Sequence, residues 1–536
     1  MRGASAKLRG CLFGALVALA VLPARPQSAS TIPHLERRGD ATQLMVDRKP
    51  FLILGGELYN NSATSLEYMN AVWPRLTAMH LNTVLAAVSW AMLEPAEGKF
   101  DYTLLDGLIR EARAHNLRLV LLWFGSWKNT WSSYAPDWVK RDFERFPRVQ
   151  LRNGSGTERL TPLSDANRDA DARAFAALMR RIREVDGDAH TVILVQVENE
   201  VGVIPDARDH SAAANAAYSQ PVPRELLDYL QKHKETLHPE LRARWMAAGF
   251  KASGNWETVF GPGLETEDLF MAWQYARYIS KVVKAGKAEY PLPLFANAAL
   301  IRPDYAPGQY NSGGPLSHSM DIWKSGAPEL DFLTPDIYFE FKRWCAEYDR
   351  AENPLFIPEA AGGIAGSANV YYAVGQHKAI GFSPFGIDGM EGADADALGR
   401  SYDTLSQLAP LILENQSKNR VAGVLLEELT PAQKVRVGDY TLNVSPRGRQ
   451  NAVPHGIFIA SGTDEFYMAG SGLTVTFSPE TPGPPIVGLA TVEEGRFVEG
   501  RWVRGRTLAG DDTGQGNNLS LDAAHGILRV TLYRYR

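Results

Sequence analysis

Val192-Ile-Leu-Val-Gln-Val-Glu-Asn-Glu-Val-Gly202 runs apolar for four residues, then places Glu198, Asn199 and Glu200 ahead of a glycine. A continuous apolar run reads as a strand covered on both faces, as in a parallel sheet. Side chains alternate along a strand, so Gln196, Glu198 and Glu200 are expected on one face and Val195 and Val197 on the other. Two residues advance the chain by ~6.6 Å, which sets Glu200 at the C-terminal end of the strand and Glu198 a layer beneath it. Glu200 is then expected to react and Glu198 to orient.

Seven further apolar runs flank this one: 51–56, 82–89, 117–124, 292–297, 330–338, 354–360 and 380–386. Amphipathic stretches lie between them, at 64–79, 102–115, 170–185, 267–285, 368–379 and 404–414. Repeated strand and helix units are what parallel strands require, because their connections must cross over. No G-x-G-x-x-G follows the first run, so a doubly wound nucleotide fold lacks its phosphate loop. The reading is α/β, a (β/α)8 TIM barrel over residues 30–418. Residues 203–266 are expected to form an extended loop over the barrel mouth. From about Val421 short alternating strands broken by turns predict a small all-β, sandwich-like domain over 419–536. Pro479 to Pro485 reads as a loop within it.

The 536 residues, 45% hydrophobic and 22% charged, suffice for a large core. Residues 1–27 open on Arg2, Lys7 and Arg9, continue apolar from Cys11 to Leu22 and reach small residues near Ala24, which reads as a signal peptide. The mature protein is therefore expected to be exported, periplasmic or extracellular. The apolar run is too short to span a membrane, and none approaching ~20 residues follows. Without those 27 residues, 52 Lys and Arg face 61 Asp and Glu, a net of −9 that argues against nucleic acid as a partner. Cys345 would be the mature chain's lone cysteine, so no internal disulfide is expected. A homodimer stays open.

A second carboxylate closes the seventh run: "NPLFIPEAAGG" places Glu359 at its C-terminal end. Strands four and seven stand on roughly opposite sides of an eight-stranded ring, so Glu200 and Glu359 are expected to face one another across the mouth. A facing pair suits glycoside hydrolysis, one carboxyl protonating the leaving oxygen while the other attacks the sugar; ~5–5.5 Å between them implies retention and ~6.5–9.5 Å inversion. For strand four alone, a structural hydrogen-bonding role for the inward polar layer explains the residues equally well. The strand ends also supply Tyr59, Trp90, Trp123, Trp127, Trp131 and Tyr338 for the apolar faces of sugars, and Lys128, Asn129 and Asn199 for hydroxyls. About half of these aromatics are expected to be core residues. No H-E-x-x-H, Cys/His cluster, Walker loop or G-x-S-x-G elbow is present, so neither metal nor cofactor is expected.

"QVENEVG" at 196–202 resembles the Gln-Val-Glu-Asn-Glu-Tyr-Gly run of glycoside hydrolase family 35, the β-galactosidases. The resemblance covers about residues 35–415. It implies Glu200 as acid/base, Glu359 as nucleophile and Asn199 as partner of the sugar 2-hydroxyl. "GGELYNN" carries over the substrate tyrosine as Tyr59, and "VSWAMLEP" carries over Trp90 and Glu94. "TPDIYFE" resembles the strand that supplies a tyrosine to the nucleophile, here Tyr338. Val201 replaces the usual tyrosine, and "WFGSWKNTWSSYAPDW" aligns Lys128 and Asn129 with the Ala and Glu of the family's Cys-Ala-Glu. The chain thus resembles a divergent bacterial branch with one small β domain, some members of which act on galactosylated plant polysaccharides such as xyloglucan. The implied function is an exported retaining β-galactosidase with a β-galactoside as substrate. An arabinosidase or glucosidase on the same barrel is the nearest alternative, and a non-catalytic sugar-binding protein the more distant one. Trp502 and Tyr467 are expected to pack on the barrel rather than bind polysaccharide.

Overall fold

The computed structural model describes residues 1, 3, 32–426, 432–447, 453–522 and 526–536. The expected signal peptide, apart from residues 1 and 3, lies outside them. Eight parallel strands close into a barrel: β1 (Ile53–Glu57), β2 (Thr83–Ser89), β3 (Arg118–Lys128), β4 (Val192–Asn199), β5 (Leu294–Ala299), β6 (Phe332–Ile337), β7 (Phe356–Ala360) and β8 (Gly381–Pro384). Each is followed by a principal helix: α1 (Leu66–Ala78), α2 (Thr103–Ala114), α3 (Asp165–Asp186), α4 (Leu264–Glu289), α5 (Met320–Gly326), α6 (Phe341–Tyr348), α7 (Gly363–His377) and α8 (Gly392–Asn415).

Two of these helices begin at a serine whose side chain caps the first turn. The Ser65 hydroxyl accepts the Tyr68 N–H ahead of α1, and Ser164 accepts the Asn167 N–H ahead of α3. Inside the barrel Ile53, Leu85, Val120, Leu122, Phe124, Leu194, Phe295, Phe332 and Phe356 form one cluster, with Phe295 stacked on Phe332 at 5.3 Å. On the outer face Trp123 packs against Phe175 of α3. A small antiparallel sheet (His34–Arg38, Ala41–Val46, Lys49–Phe51) adds Leu44 and Val46 to the inner cluster. Its Asp47 meets Arg118 at the start of β3 and His190 just before β4, so the sheet covers the barrel's N-terminal end. Function is left to the other end.

Residues 203–266 are not an extended loop. They carry helices at Ala212–Ser219, Arg224–Lys232, Pro239–Ala247 and Trp256–Phe260, and the His238 N–H donates to Asp321 on α5 at 2.8 Å while its ring meets Glu347 on α6. Leu226, Leu230, Leu241 and Trp245 give this insertion an apolar side that joins the barrel core, and the stretch folds to bury it.

Beyond α8 the chain is antiparallel, with a six-stranded and a four-stranded sheet among the described residues. Val424, Leu442, Phe458, Phe466, Leu473 and Leu528 fill the space between the sheets. The other face of the six-stranded sheet meets the barrel through Ile457, Ile459, Tyr467 and Ile527. There Gly375 of α7 lies against Gly423; a Cβ on Gly375 would come within 2.6 Å of the Gly423 Cα, so this close approach requires glycine. Tyr467, Phe497 and Trp502 pack together with centroids 5.2–5.4 Å apart, and the Phe497 N–H donates to Gln407 on α8. They are packing residues, as expected. Pro479 ends one strand, and residues 480–485 form the turn before the next. No helix among the described residues is long and apolar enough to cross a membrane.

Candidate active site

Four buried carboxyls converge at the C-terminal ends of the strands. Glu57 ends β1, Asp336 lies near the end of β6, Glu359 lies on β7 and Glu200 follows β4. One oxygen each of Glu200, Asp336 and Glu359 lies within 4.8 Å of the others. Glu57 and Asp336 follow from alternation: counting by two from the inward Ile53 and Phe332 reaches Glu57 and Asp336, and from Phe295 it reaches Asn297. Neither Glu57 nor Asp336 is among the candidate residues legible from motifs, although the same period-two count marks both of them and Asn297.

On β4 the alternation fails. Glu198 has φ 63° and Glu200 φ 45°, a region non-glycine residues seldom occupy. Glu198 therefore does not lie inside the barrel beneath Glu200. Its carboxyl sits beside Asp171 of α3 and accepts the Trp127 N–H at 2.7 Å. Asp171 in turn accepts from Trp123 Nε1 at 2.9 Å and from the Ser126 hydroxyl at 2.6 Å. Burial, then the Asp171 charge, pushes the Glu198 carboxyl well above the usual range behind the barrel wall. Glu198 anchors the end of β3.

The segment after β4 is clamped. The Glu200 N–H donates to Asn297 Oδ1 at 3.0 Å, and the Glu200 carbonyl accepts from Asn311 Nδ2 at 2.9 Å and the Thr130 N–H at 3.2 Å. Gly202 at φ 152° passes so close to Asn311 that a Cβ would come within 2.5 Å of its carbonyl carbon. Val201 is buried in the outer core. These contacts fix the backbone that carries Glu200.

Electrostatics separates the carboxyls. Burial and then the Glu359 charge raise Glu200 to about 7, against a weaker opposing pull from Lys128. Glu57 is raised well above its ordinary value by burial and Glu359, and Asp336 by burial, Glu359 and Glu200. Tyr338, half exposed past β6, donates its hydroxyl to Glu359 Oε1. Buried Lys128 faces Glu57 and Glu200. Among the described residues, Glu200, Asp336 and Glu359 are spaced closely enough to hold a metal ion. A hard cation needs ionised carboxylates, whereas burial and the Glu359 charge favour a proton on Glu200 and on Asp336.

The remaining residues named from sequence divide. Asn199 is buried beside Glu200 with neither amide atom partnered among the described residues. Tyr59 is half exposed where β1 and β8 meet, its ring over Gly386 and Gly389 and edge-on to Phe385 at 5.4 Å. Asn129 is exposed at φ 48°, its N–H donating to the Asn199 carbonyl at 3.2 Å. Trp90 and Trp127 are corrections. Trp90 is fully buried, gives Nε1 to Glu94 at 2.8 Å and packs on Trp123 and Trp138. Trp127 is fully buried, gives Nε1 to the Leu160 carbonyl and stands edge-on to Tyr275 and Tyr278 of α4. Neither ring is open to a ligand. Trp123 is likewise internal, and Trp131 is half exposed beneath the Arg159 guanidinium at 3.8 Å.

A (β/α)8 barrel with two glutamates facing at the ends of β4 and β7 has the two-carboxyl arrangement on which glycosidic bond cleavage rests. The chain belongs to the glycoside hydrolase 42 family, described as Beta-galactosidase, whose model matches residues 59–357, more than half of it. This replaces the family 35 assignment. The family 35 resemblance rested on short runs around Tyr59, Trp90, Glu200 and Tyr338, whereas the family model matches along residues 59–357. A family described as a domain of unknown function matches residues 398–520. The Beta-galactosidase of Xanthomonas manihotis is 28% identical over 216 residues, 39% of this chain and 34% of that protein, so the chain matches about a third of its relative's length. Among solved structures, the β-galactosidase of Bacillus circulans sp. alkalophilus aligns with TM-score 0.46 and 15% identity over 68% of this chain and 57% of its own. That of Rahnella sp. R3 aligns with TM-score 0.45 and 16% identity over 70% and 58%.

Proposed function

We propose that the protein is a retaining glycoside hydrolase that releases terminal β-D-galactosyl residues, with Glu200 as acid/base and Glu359 as nucleophile. The observation that carries this is the approach of Glu200 and Glu359 carboxyl oxygens to within 4.8 Å across the mouth. That suits direct attack, for which the carboxyls stand ~5–5.5 Å apart, rather than a gap holding a water.

The chemistry follows from the surroundings. A Glu200 carboxyl held up to about 7 keeps a proton in neutral solution for the glycosidic oxygen. Glu359, oriented by the Tyr338 hydroxyl, attacks C1 as the C1–O bond breaks. The ester cancels the Glu359 charge that held Glu200 up, and Glu200 then takes a proton from the water that hydrolyses the ester. The unpartnered Asn199 amide offers hydrogen bonds to a sugar hydroxyl next to Glu200. Galactose as the sugar is supported by the family and its named relative. A galactosylated plant polysaccharide such as xyloglucan as the natural substrate, and export of the enzyme, extend the same reading.

The test is a panel of nitrophenyl glycosides together with lactose and xyloglucan oligosaccharides, with NMR of the first anomer released. Turnover of β-galactosides giving the β-anomer first is expected. No release from any substrate, or the α-anomer first, overturns the proposal.

A further inference from the structure

Asn297 ties Glu200 to Asp336. Its Oδ1 accepts the Glu200 N–H at 3.0 Å, and its Nδ2 donates to Asp336 Oδ2 at 2.6 Å. The second oxygen of Asp336, Oδ1, is buried with no donor among the described residues. The Glu200 carboxyl lies within hydrogen-bonding reach of Asp336. The other ionisable groups around Asp336 are Glu57 from β1, Glu359 from β7, Tyr338 beyond β6 and Tyr348 on α6, with Lys128 from β3 facing Glu57 and Glu200. An ionised Asp336 would bury a second charge beside the Glu359 carboxylate with the Asn297 amide donating to one of its oxygens, which is strongly unfavourable. A proton on Oδ1 removes that charge and turns the orphaned acceptor into a donor.

We propose that Asp336 works as a neutral carboxylic acid whose Oδ1 hydrogen is given to the Glu200 carboxyl, making it the positioning residue of the acid/base. The role in catalysis rests on the glycosidase reading above; the protonation of Asp336 does not. In the first step the Glu200 proton passes to the glycosidic oxygen while Glu359 bonds to C1 and the alcohol leaves. Asp336 keeps its own proton and donates to the Glu200 carboxylate as that charge forms. In the second step Glu200 takes a proton from the attacking water and Glu359 departs as carboxylate. Burial and the neighbouring acidic groups favour the neutral form throughout.

Two variants separate a neutral donor from an anion. Asp336→Asn keeps a neutral donor, whereas Asp336→Leu keeps the volume and loses the donor. We expect Asp336→Leu to lose about 100-fold in kcat with its alkaline limb moved up, and Asp336→Asn to recover at least about tenfold of that loss. An Asp336→Asn variant as impaired as Asp336→Leu, with its alkaline limb moved down by about one unit as removal of an anion would do, overturns the proposal. The second readout needs no turnover. At about pH 8.5, above the Glu200 titration, the infrared carbonyl band of protonated carboxyls, to which Glu57 and Glu198 also contribute, should lose one carboxyl's intensity in Asp336→Asn relative to the wild type. If the band does not change, the proposal falls, whether or not Asp336→Leu folds. If the band behaves as expected in a protein that cleaves no glycoside, the glycosidase reading falls and the protonation of Asp336 stands.

Discussion

The hydroxyl of Tyr338, carried past the end of β6, donates to Oε1 of Glu359 on β7, while Glu359 Oε2 is buried with no partner among the described residues. One oxygen is held and, on the proposed function, the other is left for the sugar. Burial and the Glu359 charge drive the Tyr338 phenol upward, so it remains a donor at any working pH. Tyr338→Phe should therefore lower kcat by about 10- to 100-fold with a smaller change in KM, since the lost bond aims the nucleophile. Steady-state kinetics on a nitrophenyl galactoside checks this, and an unchanged kcat would refute it.

Glu200 should set the alkaline limb of kcat/KM. The proton is needed for departure of the aglycone, so activity present below about 7 is lost as pH rises through that value. Glu200→Gln should abolish the limb and cost far more with lactose than with a dinitrophenyl galactoside, whose leaving group needs no acid. Equal losses on both substrates would remove Glu200 from the acid role.

The same carboxyl affects stability. Its folded-state value is raised from 4.5 to about 7, so the folded protein binds the proton more tightly than the unfolded chain. Its contribution is complete below about 4.5 and is lost as pH rises to about 7, a swing of roughly 3 kcal/mol. Glu200→Gln carries no such penalty. Its Tm relative to wild type should be higher at pH ~8 than at pH ~5, and equal offsets at both would contradict the assignment.

Trp90 tests what burial alone implies. Its indole gives Nε1 to Glu94 and packs on Trp123 and Trp138 with no exposed surface. Trp90→Ala should cost about 3–5 kcal/mol of stability. The KM of whatever folds should stay within about twofold, as expected when no uniform binding is removed. A tenfold rise in KM with unchanged stability would return Trp90 to the sugar site.

How much of this was legible varies strand by strand. The apolar runs gave the barrel, and the glutamates ending the fourth and seventh were readable because continuous apolar strands leave polar residues only at their ends. Counting by two works on β1, β5 and β6, where it reaches Glu57, Asn297 and Asp336. It misplaces Glu198, because the positive φ there turns the side chain toward Asp171 and cannot be read from residue type. Trp90 and Trp127 misled for another reason: strand-end aromatics can face the pocket or the helices, and only packing decides. Residues 203–266 read as a loop because their helices are short and interrupted, their apolar side making sense only against the barrel core.

Among the described residues Lys128 is a cation facing this acidic site, and it acts on Glu57 and Glu200 in the same direction. It opposes the burial that raises both carboxyls, so its removal should raise them further. Lys128→Met keeps the length of the stem and removes the charge. The alkaline limb of kcat/KM should then move up by about half a unit to one unit, the reverse of what loss of a neighbouring anion would do. The shift should shrink in high salt only slightly, because a buried pair is poorly screened. A limb that stays in place would mean that Lys128 spends its charge on the substrate alone, and KM rather than the pH profile would then carry the whole effect.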